Sequence, residues 1–291
     1  GVAWSTGPDN TYLWMQGTSQ ACPAVSGTLA QLYQAYAEAH NGELPPSALM
    51  KAVVMNTADD QGTIGPDFTH GFGRINARRA YRTLAGEQWF NDTIAQGAQQ
   101  QFTIQVPAGA AEVRVMLYWH DPFASVNAAT ALVNDLDLVV SDPALIDWQP
   151  WVLDHAPNAT TLAQAATRGA DHLNNVEQVT LNNPAAGSYT ITVNGNTINS
   201  GGQQEYFVVY EVRMPELVLT HPQGGESFTM YDQVPVKWDA KGLPIGLVLI
   251  EYSADSGQTW NTIQSVSTFF QGWDWSPPTA ASGHYLVRIS S

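Results

Sequence analysis

A multidomain chain, a helical opening segment followed by two all-β regions, is what this sequence predicts. Three observations carry that reading. Through about residue 85 the apolar residues recur at helical spacing; from about Phe90 they alternate with a period of two. Met214-Pro215 then reads as a linker before a second set of alternating runs. At 291 residues the chain has room for two or three domains with buried cores.

The elements follow in order. Val25, Leu29, Leu32, Tyr33 and Tyr36 fall at i, i+4, i+7, i+8 and i+11, one stripe of a helix that Asn41-Gly42 stops. A second helix starts after Pro45-Pro46, turns Leu49, Val53 and Val54 inward, and fades at Asn56-Thr57. "HGFGRIN" reads as a turn, and a third short helix follows through Tyr81. Beyond it, "QQFTIQVPAG", "AEVRVMLYWHD", "LVNDLDLVVSD", "VEQVTLNNPAAGSYTITVNG" and "QQEYFVVYEVR" alternate between turn residues, the mark of an antiparallel sandwich or barrel. "ELVLTHPQGGESF", "VPVKWDA", "LVLIEYSADSGQTW" and "HYLVRIS" suggest a small immunoglobulin-like sandwich, its last strand missing. The boundaries expected are 1–89, 90–213 and 214–291.

Charge narrows the partners. Lys plus Arg number 11 against 26 Asp plus Glu, a formal charge of -15. That balance repels nucleic acid and anionic lipid, so neither nucleic acid nor a membrane is expected as a partner. It suits solubility outside cells, or carboxylates gathered around a hard cation such as calcium. The single cysteine, Cys22, excludes an internal disulfide framework, and no run of 18 apolar residues is present. "GVAWSTG" at the start and "GHYLVRISS" at the end both read as interior sequence, so a fragment or processed product is expected.

Gly17-Thr18-Ser19 stands directly before the first helix. A serine at a loop-to-helix junction presents its backbone N–H outward, and the helix start adds partial positive charge; together they stabilise a developing oxyanion. Gly17 permits the tight turn, Pro23 is tolerated in a first turn whose amides lack intrahelical partners, and Gly27 would let another element approach. This layout suits acyl transfer. For the tripeptide alone, an N-cap serine remains the commoner reading.

The surrounding spacing separates the two. "GTSQACPAVSG" resembles the nucleophile motif of the subtilisin-like serine proteases, Gly-Thr-Ser-x-Ala-x-Pro-x-Val-x-Gly, at Gly17, Thr18, Ser19, Ala21, Pro23, Val25 and Gly27. "GVAWST", "PPSALMKAVVMNTA" and "HGFGRINARRAY" resemble the family's preceding strand, next helix and closing turn and helix. The resemblance covers roughly the first 85 residues. It implies the C-terminal part of an α/β catalytic domain, a nucleophile at Ser19 whose own N–H is an oxyanion donor, and polypeptide substrates. The family's order is Asp, His, Ser. Only 18 residues precede Ser19 and none is histidine, while Asp9 lacks the family's aspartate motif. The catalytic Asp, His and oxyanion Asn are therefore expected in an N-terminal portion of the same protease, a necessary partner without which this chain is inactive.

Two positions depart from the motif. Gln20 replaces the family's usual methionine and removes a thioether that peroxide would oxidise beside the nucleophile. Cys22 stands where a small residue is usual, and is expected to be a buried, inert thiol.

"VMLYWHDPFASVNAATALVNDLDLVVSDP" and "DHLNNVEQVTL" resemble the jelly-roll-like β-barrel that follows the catalytic domain in subtilases akin to oxidatively stable alkaline proteases. Asp135 and Asp137 alternate on one strand and so share a face, with Asn134 on the other. With Asp171 and Glu177 they form a candidate calcium set, which Asp121, Asp142 and Asn175 would join only through the fold. The competing reading is that these Asp and Asn residues simply build turns. In the last region Trp238 reads as core; for Trp273 and Trp275 a core place competes with stacking on sugars or proteins.

These readings converge on the C-terminal portion of a secreted, bacterial subtilisin-like endopeptidase with calcium on its β region. A non-catalytic extracellular binding or adhesion protein, keeping a degenerate protease remnant, is the alternative.

Overall fold

The computed structural model describes residues 3–229, 231–243, 246–278 and 283–291. Its contacts divide into two compact units, Gly1–Val106 with Arg114–Leu181 and Gly187–Glu211, and Pro107–Val113 with Asn182–Ala186 and Val212–Ser291.

The first unit opens with an antiparallel hairpin of β1 (Ala3–Thr6) and β2 (Tyr12–Met15). Helix α1 (Thr18–Ala39) follows, and ends where Asn41 and Gly42 take positive φ and the Gly42 amide returns to the Ala37 carbonyl at 2.8 Å. Helix α2 (Ser47–Asn56) starts behind Pro46. Helix α3 (Ala77–Ala85) is capped by the Asn76 side chain on the Arg79 amide and runs one turn past Tyr81, because Leu84 still has core to bury.

The helices use sheet as their floor. Leu32 and Tyr36 of α1, Leu49 and Val53 of α2, and Ala80 and Leu84 of α3 pack in one cluster with Met116, Tyr118, Phe207 and Val209. Those four belong to β5 (Glu112–Tyr118) and β12 (Gln203–Arg213), which sit centrally in a sheet of order β10-β5-β12-β3, with β3 at Trp89–Ala95 and β10 at Val176–Asn182. Val54, expected inward, is half-buried at the edge of this cluster.

Polar groups lock the same interface. Arg79, 2% exposed, donates from Nε to Glu211 Oε1 at 2.8 Å and from Nη2 to Glu211 Oε2, and from Nη1 to Asp59 Oδ1 at 2.9 Å. The Arg114 guanidinium donates to the Ala58 carbonyl at 2.6 Å, and Gln178 to the Asn56 side chain at 3.2 Å. Gly73 closes the loop between α2 and α3 at φ +111°, where a Cβ would overlap the Asp59 carbonyl oxygen.

A second four-stranded sheet has the order β4-β11-β6-β7, with β4 at Gln99–Val106, β6 at Asn134–Ser141, β7 at Asp147–Trp148 and β11 at Gly187–Ile198. Phe90 on β3 stacks on Phe102 of β4, ring centroids 4.6 Å apart, and so joins the two sheets. A small hairpin, β8 (Trp151–Val152) with β9 (Thr167–Arg168), completes the strands of this unit; Arg168 lies over the Trp151 ring at 3.5 Å. Neither large sheet closes on itself: β10 and β3, and β4 and β7, are edges. The barrel expected from sequence is therefore corrected to two open sheets among the described residues, since closure needs hydrogen bonds between the outer strands.

The second unit holds two three-stranded antiparallel sheets. They are β13-β14-β17, at Glu216–His221, Val234–Lys241 and Gly272–Trp275, and β16-β15-β18, at Asn261–Ser267, Leu247–Ser253 and Leu286–Ser290. Val236, Trp238, Val248, Ile250 and Trp275 form its core. Trp238 and Trp275 thus take the core place, whereas Trp273 is exposed. Also within this unit, Glu112 is buried against the Lys241 ammonium at 2.8 Å. Among the described residues no helix is long and apolar enough to cross a membrane.

Candidate functional site

Ser19 occupies the second position of α1, where the backbone amide has no intrahelical acceptor. Gly17 is the N-cap at φ +141°, a conformation that disfavours side-chain-bearing residues, and no side chain caps the helix. The serine is therefore not an N-cap. Its amide and that of Thr18 lie at the positive end of a 22-residue helix, and its side chain is exposed. Among the described residues no histidine or carboxylate is hydrogen-bonded to Ser19.

Three expectations around it are corrected. Pro23 lies within the helix rather than in its first turn; lacking an N–H, it leaves the Ser19 carbonyl without the usual i+4 donor. Cys22 is exposed, not buried. The first turns of α1 extend beyond the sheet floor, and burial begins in earnest only at Leu32. For the same reason nothing lies within 4 Å of a Cβ built at Gly27. The thioether that Gln20 removes from the motif also has a neighbour: the Gln20 amide reaches the Met15 sulfur at 4.0 Å.

The carboxylates expected to bind a cation separate into two groups. Asp135 and Asp137 share a face of β6, with Leu136 and Leu138 buried on the other. A β-bulge where β11 pairs β6 places Asn196 beside Asp135, whose Oδ2 accepts from Asn196 Nδ2 and His172 Nδ1, each at 2.8 Å. Ligand atoms of Asp135, Asp137 and His172 all lie within 4.8 Å of one another. Glu177, 1% exposed, accepts the Leu138 amide on Oε2 at 2.6 Å. Burial pushes its carboxyl well above the usual range, and the charges of Asp137, Asp171 and Asp135 push it further. Burial raises Asp137 too, as does Asp135.

The remaining acids do other work. Asp171 accepts from the Leu173 and Asn174 amides and from Asn174 Nδ2, at 2.9, 3.2 and 2.7 Å, a turn-building role. Asp121 pins a loop by accepting the Val133 and Asn134 amides, each at 2.7 Å. Asp142 holds the turn at Ala144 and Ile146 beyond the far end of β6, and Asn175 donates to the Trp119 carbonyl. His172, which sequence reasoning did not select, joins Asp135 because the turn at Asp171 delivers its neighbour there. Its adjacency to Asp171 in "DHLNN" was the available signal.

Comparison with known proteins places the first of these sites in a family context. The model of the subtilase family, Peptidase_S8, matches residues 2–73. A serine protease/ABC transporter B family protein, tagA of Dictyostelium discoideum, is 25% identical over 204 residues, covering 63% of this chain. The chain spans 11% of that relative's length. Among solved structures, the serine protease of Aeromonas sobria shares 16% identity at a TM-score of 0.23, over 69% of this chain and 45% of that one. Bacillus licheniformis lipase BlEst2 in propeptide form shares 12% at a TM-score of 0.26, over 69% and 36%.

Proposed function

We propose that residues 1–89 are the C-terminal part of a subtilisin-like serine endopeptidase domain and that Ser19 is its nucleophile. One observation carries this: the family's motif, Gly17 to Gly27, coincides with a helix start whose N-cap glycine leaves the Ser19 amide free. Ser19 Oγ attacks the scissile carbonyl of a polypeptide and passes its proton to a histidine contributed by an upstream portion of the same protease. The Ser19 N–H donates to the oxyanion, the amine departs with that proton, and water resolves the acyl-enzyme. The two β regions are structural extensions that support the helices or receive substrate. The acidic balance and the kinship to a protease fit an exported bacterial protein acting outside the cell.

The experiment is labelling with a fluorophosphonate probe in the full-length protease, with peptide mapping. Labelling at Ser19 is expected, and Ser19→Ala should abolish it and lower kcat by roughly a millionfold, the value known for subtilisin itself. A folded full-length protein that hydrolyses peptides equally well with Ser19→Ala would overturn the assignment. One that neither labels nor hydrolyses would favour the binding or adhesion reading.

A further inference from the structure

We propose that the face of β6 beside its bulge with β11 binds one divalent cation of the calcium class, through the carboxylates of Asp135 and Asp137 with Glu177 behind them. The argument begins with oxygen atoms that have no partner. Asp135 Oδ1, Asp137 Oδ1 and Glu177 Oε1 are all buried and accept no hydrogen bond. Buried carboxylate oxygens are normally satisfied, because each otherwise forfeits its hydration without compensation. Three such orphans in one neighbourhood point to a ligand.

Glu177 is the independent witness. Its other oxygen takes the amide of Leu138, the residue next to Asp137, so the carboxyl lies against the β6 backbone at the cluster. It is sealed from water, and no Lys or Arg among the described residues is ion-paired with it, with Asp135 or with Asp137. The ring of His172 is the cluster's ion-pair partner, 2.8 Å from Asp135 Oδ2 and 3.6 Å from Asp137 Oδ1. One half-exposed imidazole does not balance three gathered carboxylates, whereas a divalent cation does.

The donor chemistry selects the class of ion. A carboxylate only accepts hydrogen bonds, so the imidazole nitrogen facing Asp135 Oδ2 carries a proton and is not a metal donor. His172 and Asn196 thus hold the second oxygen of Asp135 and aim Oδ1, as positioning residues do around a metal. Asp171 has its oxygens engaged by its own turn and contributes charge only. The donors left free are oxygens, which suits a hard cation; calcium accepts such sets with water completing the shell.

The test uses the whole chain after chelation and dialysis. Titration with calcium alone should give saturable one-site binding and a rise in melting temperature. Terbium should luminesce on indole excitation, since Trp119 donates to the carbonyl of Asn134, the residue before Asp135, at 2.9 Å. The double variant Asp135→Asn, Asp137→Asn should lose both signals. His172→Ala should keep a site weakened about 10- to 100-fold, the usual effect of removing an orienting partner. Absence of saturable calcium and terbium binding in the unaltered chain would overturn the proposal, as would full binding in the double variant. Zinc binding tighter than calcium and abolished by His172→Ala would overturn it too, by making the imidazole a ligand. These readouts need no peptidase activity, so this site and the nucleophile assignment fail separately.

Discussion

The two ends of the helical segment make opposite use of their residues. At Gly17–Gly27 the side chains are largely exposed, no ion pair forms among the described residues, and a Cβ at Gly27 would meet open space. At Asn56–Arg79 almost every polar group is tied down: Asn56 and Thr57 are fully buried, and Arg79 clamps Asp59 and Glu211 together. Both stretches match the same family, yet only one depends on burial. The nucleophile motif needs its amides and hydroxyl free for chemistry, whereas the second stretch is architecture and spends its polar groups on holding the helices to the sheet. Resemblance to a family therefore says nothing by itself about which matched residues stabilise the fold.

The sharpest way to break that contrast is to substitute across it. Arg79→Met should lower the unfolding free energy by about 3–5 kcal/mol, because Glu211 and Asp59 are then left buried without a counter-charge. Ser19→Ala should leave it within about 0.5 kcal/mol, as expected for an exposed side chain. Denaturant unfolding of both variants checks this, and equal losses would erase the distinction. The two glycines behave alike in φ but not in surroundings. Gly73→Ala should cost about 1–3 kcal/mol or more, since strain at positive φ adds to overlap with the Asp59 carbonyl. Gly17→Ala, where a Cβ would lie 3.3 Å from the Gln20 side-chain oxygen, should cost less. The difference between their denaturation midpoints is the measurement.

The smallest effect concerns pH. Burial alone would push the Asp67 carboxyl up, but the His70 and Thr69 amides and the His70 ring outweigh it and hold it below the usual range. The unfolded chain then binds this proton more readily than the folded one. The contribution is complete above the unfolded value of about 3.9 and is lost as pH falls below it. Asp67→Asn should therefore flatten the fall in melting temperature between pH 5 and about pH 3, with little change at pH 7 in that slope. An unchanged acid limb would show that the loop at Asp67 does not feel this titration.

The sequence by itself determined what depends on neighbours in the chain. Spacing at Val25, Leu29, Leu32 and Tyr36 marks α1, Asn41-Gly42 ends it, and alternation at Asp135 and Asp137 puts both carboxylates on one face; all are set by local periodicity and turn chemistry. The nucleophile motif was legible for the same reason, since its residues are contiguous. Only the tertiary structure decided which long-range partners those residues meet. Arg79 lies 132 positions from Glu211, and nothing in "ARRAY" or "VYEVR" pairs them. The bulge that brings Asn196 to Asp135, the turn that delivers His172 and diverts Asp171, and the open edges that replace a barrel all arise from register between distant strands. Cys22 shows the same limit: it lies a heptad before the half-buried Leu29, yet the sheet floor stops short of it. Periodicity states which side of a helix is apolar, while exposure depends on where the partner surface ends, and that surface is built from residues up to two hundred positions away.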